Sequence, residues 1–502
     1  MGSGLPPGPQ IGRRSRPNRP AVSPRAAAAA AGAAVLASVA FPGNPPGLGI
    51  ALVAVATAGA VAAARPSPLT ADRVVFGLLS AALASMAAIR TAGWLVTVDL
   101  LAALGLGSLA VLGLERWREL VRAPLTVLSR AHQAVPFLSR GLARRSQGVG
   151  QVAPALRGAV LGGALLAVFG TLFLSADAAF AELARRWLVP DWDFGLIPAR
   201  VVVFAMVLIL AGSLVGAGPR YEALGRPWAL AAFLPAAAPP RPRRGLGRTE
   251  WAVALGLLDL LFAAFVLVQL AVLFGGRDHV LRTAGLTYAE YARQGFFQLV
   301  AVAALTFGVI AGAVWWARRE RTADSRLLQV LLGTLCVLTL VVLASALRRL
   351  TLYEAVFGYT RLRISVHATI LWMAALFGLV VVAGVTMRGR WLPRAAVVVT
   401  AAGLLTFTLL NPDALIASRN VERFQRTGQI DVAYLMHLSD DAVPAMSHLP
   451  KDVGRCVLSS YRALLAAPEP LFGWNHARQR ARDVLEHSSG FSCPTSVWRL
   501  GP

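Results

Sequence analysis

The sequence predicts an all-α protein: a polytopic transmembrane helical bundle of about eleven spans, followed by a small α-helical extracytoplasmic C-terminal domain. Three observations predict it. The 502 residues are 56% hydrophobic and 15% charged, with a positive mean hydropathy, a composition that a soluble chain does not have. Apolar stretches of about 17 to 25 residues recur along the chain, each long enough to cross a hydrocarbon core as a helix. The final 90 or so residues lose that character and show short helical patterns closed by turn residues.

The apolar stretches fall near 26–41, 47–64, 74–90, 94–114, 155–175, 199–217, 251–274, 295–316, 327–346, 364–386 and 395–411. The first is short, alanine-rich and ends in Ser-Val-Ala at Ala40, so a cleaved signal peptide rivals a retained span. Retention is preferred because further apolar stretches follow at once. The expected organisation is a basic tail over 1–25, a six-span bundle over 26–217, a Pro/Arg linker over 218–250, a five-span bundle over 251–411 and the helical domain over 412–502. The basic loop 115–154 mixes Trp117, Leu120, Leu125, Leu128 and Phe137 with arginines, as a segment lying on a bilayer would.

A net charge of +24 in a soluble protein would suggest a nucleic-acid partner. Here the charge has a side. With the N-terminus in the cytoplasm, most of the arginines fall in the N-terminal tail and the cytoplasmic loops, which is the positive-inside pattern. No nucleic acid is needed to explain it. The expected location is a bacterial inner or plasma membrane, with the N-terminus cytoplasmic and the C-terminus outside. The expected partners are the bilayer, including anionic headgroups on the basic face, and an envelope protein.

After Leu410, Asn411-Pro412 is a good helix start and Gly428 a good stop around DALIASRNVERFQRT. Further helical signals lie in DVAYLMHLS, VGRCVLSSYRALLAA and NHARQRARDVLEH. Cys456 and Cys493 both fall in this segment, in an oxidising compartment if the topology holds, and are expected to form a disulfide. His476 and His487 lie nearby, but no metal-ligand spacing is present. Cys336 lies in a span, where a thiol is usually a small apolar residue.

No phosphate-binding glycine loop, nucleophile elbow, HExxH or CxxC occurs, and neither a cofactor nor a metal is expected. Two carboxylates stand inside apolar stretches, Asp259 in ALGLLDLLFAAF and Asp99 in GWLVTVDLLAALG. Such residues face a partner or water, so proton or ion coupling competes with a structural hydrogen bond. Gly158/Gly162, Gly212/Gly216 and Gly308/Gly312 are close-packing patterns, not sites. Asp191 and Asp193 flank Trp192 in an outer loop. A cation site there competes with an amphipathic turn anchored by Trp187 and Trp192.

The sharpest anomaly is LRRLTLYEAVFGYTRLR over 347–363, an outer loop carrying four arginines against the charge rule. Continued helically, it sets Arg349 and Tyr353, and likewise Leu350 and Glu354, one turn apart, with Gly358 ending the helix. Arg363 and His367 stand one turn apart at the start of the next span. Arg348, Tyr353, Glu354, Tyr359, Arg361 and Arg363 are therefore candidate functional residues, with Asp259 and Asp99. They suit an anion or headgroup grip, or equally interfacial anchoring.

Three segments in order, TYAEYARQGFFQLV (287–300), RRLTLYEAVFGYTRLR (348–363) and NPDALIASRNVERFQRTGQIDVAYLMHLSDDAVPAM (411–446), resemble the bacterial integral-membrane domain-of-unknown-function family 4153/4173 over roughly 250–450. Tyr288, Tyr291, Gly295, Phe296, Arg348, Tyr353, Tyr359, Thr360, Arg361, Asn411, Asp413, Asn420, Asp431 and Tyr434 match its motif positions. The resemblance implies a polytopic membrane protein and carries over no catalytic residue. The leading expectation is a non-enzymatic envelope sensor or scaffold, or a transporter, in which loops 275–294 and 347–363 form one polar surface with the tail. The alternative is a membrane-embedded transferase for a lipid-linked or anionic substrate, using Asp191, Asp193 or Glu354. Mass spectrometry of membrane-derived protein before and after reduction is expected to find one Cys456–Cys493 bridge; two free thiols would remove both the bridge and the argument for an outside tail.

Overall fold

The computed structural model describes residues 24–64, 70–114, 117, 119–120, 123–125, 196–216, 247–274, 296–317, 321–386 and 389–488. Ten long helices come first: α1 Pro24–Ala40, α2 Leu48–Ala63, α3 Ala71–Ser85 with a 3-10 turn Met86–Ala88, α4 Gly93–Leu112, α5 Ile197–Gly216, α6 Arg248–Phe274, α7 Phe296–Trp316, α8 Thr322–Phe357, α9 Arg361–Thr386 and α10 Leu392–Leu409. Seven of these, α3, α4 and α6 to α10, are long and apolar enough to cross a membrane, while α1, α2 and α5 are shorter apolar helices. Each of the ten coincides with a stretch marked by the sequence. The eleventh, 155–175, lies outside the described residues, as do loop 275–294, the outer loop with Asp191 and Asp193, and most of loop 115–154 and linker 218–250.

Alanine explains the first group. Ala26, Ala27, Ala30, Ala34 and Ala37 of α1 have 1% or less of their surface exposed, and α1 packs against both α2 and α5. Side chains this small let backbones approach closely, so dispersion contacts replace the hydrophobic drive that lipid does not supply. α3 packs on α4 through Phe76, Leu83, Ala103 and Leu106, and Val397 and Ala401 of α10 complete that cluster. Ser80 Oγ adds a hydrogen bond across the pair, donated to Ala103 O at 2.6 Å.

The second group is α6 to α9. Phe262 and Val266 of α6, Ala303 of α7, Leu335 and Leu343 of α8 and Phe377 of α9 share one core, with the Phe307 and Phe377 rings stacked at 4.0 Å. The opposite face of α6 presents Leu257, Leu260, Leu261 and Leu267, all more than 60% exposed, as expected of a face turned to lipid. α10 joins the two groups. It packs on α9, α3 and α4, and Trp372 donates from Nε1 to Thr400 Oγ1 at 2.9 Å. At its N-terminal end Arg394 pairs with Asp72 at 2.8 Å and donates to Leu114 O.

After α10 come α11 Pro412–Thr427, α12 Val432–Met436, α13 Val443–Met446, α14 Lys451–Leu465 and α15 His476–Glu486. They close a core of their own around Ile416, Leu435, Val443, Met446 and Val457, with Cys456 fully buried in it. Tyr461 spans this core and donates its hydroxyl toward Leu435 O and Leu438 O at 2.9 and 3.0 Å. Burial pushes its phenol pKa up. Cys493 lies outside the described residues. No strand occurs among the described residues.

The turn from α8 into α9 takes only three residues because Gly358 adopts φ +79° and donates to Glu354 O at 2.8 Å. A β-carbon at Gly358 would meet Asn420 Oδ1 at 2.8 Å. Gly358→Ala is therefore expected to cost about 1 kcal/mol or more in backbone strain alone. It should lower the thermal unfolding midpoint of purified protein, whereas Gly378→Ala, with open space at its β-carbon, should not.

Candidate functional site

The arginine-rich stretch is a joint between the bundle and the C-terminal helices. On the tail side, Asn411 sits at φ 56° and caps α11 by accepting from Ala414 N. This aims the first turn of α11 at the α8–α9 turn. Asp413, in that first turn, is fully buried. Arg361, opening α9, donates to it twice, Nε to Oδ1 at 3.0 Å and Nη2 to Oδ2 at 2.5 Å. This is the two-pronged geometry a guanidinium offers a carboxylate. Ser439 N donates to Oδ2 at 2.9 Å and Trp94 Nε1 to Oδ1 at 3.4 Å.

A second tie lies about two helical turns along α11 and beyond. Asn420 accepts from Tyr359 N and donates to Tyr359 O, both at 2.9 Å, as a strand neighbour would. Arg361 N donates to the Tyr434 hydroxyl at 2.8 Å. Arg363 faces back into its own hairpin: Nη1 donates to Phe357 O and Gly358 O, and its guanidinium lies 4.4 Å from the Tyr353 ring centre. It closes carbonyls that the end of α8 leaves open. Glu354, 1% exposed, meets His367 of α9 at 3.3 Å. These contacts bring Tyr353, Glu354, Tyr359, Arg361 and Arg363 together. Arg348 is exposed and stands apart from that network.

A third node joins the tail to the first group of helices. Asp441 Oδ2 accepts from Thr91 N at 2.7 Å, Thr91 Oγ1 at 2.9 Å and Ala92 N at 3.2 Å. A tail carboxylate thus caps the N-terminus of α4, where the helix dipole favours negative charge. Arg90 pairs with Asp441 at 3.4 Å and also donates to Thr408 O and Leu409 O, the last carbonyls of α10. Below it, Thr408 Oγ1 lies 3.0 Å from both oxygens of fully buried Asp99. Asp99 thus joins this network through Thr408. Asn475 donates to Ala87 O and Arg90 O, and Leu48 N donates to Trp474 O. Arg478 pairs with Glu469 at 2.6 Å and reaches Pro46 O.

Sequence reasoning missed Asp441, Asn475 and Arg90 as joint residues. Their partners lie more than 300 residues away, which no local spacing signals. A small polar pocket remains open beside the joint, lined by Tyr359, Thr360, Asn420, Gln429, Asp431 and Tyr434. Among the described residues no group of three or more His, Cys, Asp or Glu could hold a metal ion. Arg361 Nε and Nη2 and Arg363 Nη1 are directed at protein acceptors, so the arrangement clamps helices to one another.

The sequence model of a family described as a domain of unknown function, DUF4153, matches residues 74–449. The chain belongs to this family. The DUF4153 match begins in α3 and ends just before α14, so it takes in α4 as well as the three motif segments, and it contains Arg90, Arg361, Asp413 and Asp441. No curated protein and no solved structure matches the chain at significance.

Burial alone would push the Asp413 carboxyl pKa up. The Arg361 hydrogen bonds and charge, with Ser439, outweigh it and hold the group below the ordinary 3.8. Its contribution to docking is thus complete above pH 3.8 and is lost as pH falls through the lower docked-state value. Asp440, pushed up by burial, works in the opposite direction. Asp413→Asn is expected to destabilise docking by about 3 kcal/mol, the low end for breaking a buried pair because Arg361 keeps some access to water. The variant should show faster proteolysis of residues 412–488 at neutral pH and a flatter acid dependence; an unchanged digestion rate would refute the role.

Proposed function

We propose that this DUF4153 protein is a non-enzymatic membrane scaffold or sensor with eleven spans, whose C-terminal helices dock across the extracytoplasmic ends of both span groups. The observation that carries the reading is the placement of Asp413 and Asp441. One tail segment of fewer than thirty residues presents a buried carboxylate to α9 and another to α4. A ligand or envelope partner binding the tail would thereby act on both groups at once. The side follows the arginine distribution of the sequence, from which the short loops that touch the tail are expected outside. The pocket beside Tyr359 and Asp431 is the candidate place for a small polar ligand, and the bilayer and an envelope protein are the candidate partners.

The transferase alternative draws no support from the joint, where Glu354 is buried against His367 and Asp191 and Asp193 lie outside the described residues.

The reading is tested in intact spheroplasts with single cysteines in a Cys336→Ser/Cys456→Ser/Cys493→Ser background. Membrane-impermeant maleimide is expected to label a cysteine at Glu486 and not one at Arg248. A cysteine pair at Thr91 and Asp441, which replaces their hydrogen bonds by a covalent tie, should crosslink in the membrane. Labelling with the opposite sidedness, or no Thr91–Asp441 crosslink, would sink the docked outer tail.

A further inference from the structure

The face of α6 that packs on α8 follows a helical stripe, Leu255, Asp259, Phe262 and Val266. Leu255 shares a core with Trp251 and Leu328, and Phe262 and Val266 share one with Leu335 and Cys336. Asp259 occupies the stripe position between them and is 9% exposed. Neither of its carboxyl oxygens has a hydrogen-bond partner. Eleven residues from Arg248, it lies roughly 16 Å along the helix, about midway through a hydrocarbon core of about 30 Å. The only element packed closely on α6 among the described residues is α8. Two titratable side chains of α8 meet that core, the buried thiol of Cys336 and, farther along the helix, Tyr353.

An ionised carboxylate at this depth costs about 2.5 to 3.5 kcal/mol even on insertion scales, and more when no donor compensates it. A bound metal would need several further ligands, and among the described residues no group of three or more His, Cys, Asp or Glu includes Asp259. A proton neutralises a carboxylate with no ligand but the carboxylate itself. We propose that Asp259 is a proton-binding site inside the bundle, occupied at neutral pH. It differs from Asp99, whose oxygens have Thr408, and it does not depend on how the tail docks. The site gives the bundle a group that can take up or release one proton at mid-membrane, the minimum a proton-coupled device requires.

The test is infrared spectroscopy of the full chain in liposomes at neutral pH, wild type minus Asp259→Asn. The difference is expected to contain the carbonyl stretch of a protonated carboxylic acid, shifting down in D2O. A difference containing only ionised carboxylate bands would overturn the proposal. Should Asp259→Asn fail to insert, dicyclohexylcarbodiimide on the wild-type protein replaces it, because that reagent modifies neutral carboxyls in apolar surroundings. Peptide mapping is then expected to find the adduct on Asp259, and an unmodified Asp259 would overturn the proposal.

Discussion

Arg361 and Asp413 form the contact on which the rest of the arrangement turns. A carboxylate with no exposed surface is tolerable only with donors on both oxygens, and Arg361, Ser439 and Trp94 supply them from α9, the tail and α4. Each donor comes from a different element, so satisfying one carboxylate fixes three elements relative to one another. The Asn420–Tyr359 pairing then sets the rotation of α11 against the hairpin. Asp441 repeats the device on the other side.

Such pairs contribute more to position than to net stability, since desolvation offsets much of the Coulomb attraction. The apolar core of the tail, around Leu435, Met446 and Val457, supplies the cohesion. The polar joint decides where that core sits. This division accounts for two of the arginines of the stretch: Arg361 is taken up by a carboxylate and Arg363 by carbonyls of the same chain, while Arg348 stays exposed.

The local readings transferred well to the structure. Helix α11 runs from Pro412 to Thr427 between Asn411 and Gly428, as the cap and stop residues require, and Gly358 ends α8 where its conformational freedom is needed. Period, caps and glycine are signals carried within a few residues. The joint was only half legible. Arg361 stood out by type, and Asp413 and Asn420 matched family motif positions, but the pairing of one with the other depends on tertiary approach. Glu354 was placed against Leu350 on its own helix, whereas its polar partner, His367, comes from the next one. Arg90, Thr91 and Asp441 left no trace, because an isolated arginine after a span and an aspartate in a turn are ordinary in sequence. The position of α10 was likewise hidden: it follows the second group in the chain yet packs on α3 and α4, and apolar periodicity does not name a neighbour.

Arg90 closes the final carbonyls of α10 while holding Asp441, 351 positions later in the chain. The ribosome delivers these partners in strict order, with the acceptors last. The end of α3 must therefore wait in the membrane, its guanidinium unsatisfied, until α10 and the tail have been made. Contacts of such long sequence separation form late and leave partly assembled species exposed. The same residues that fix the finished architecture thus mark its completion, and a chain released early would leave Arg90 without the carbonyls and carboxylate it holds in the finished fold.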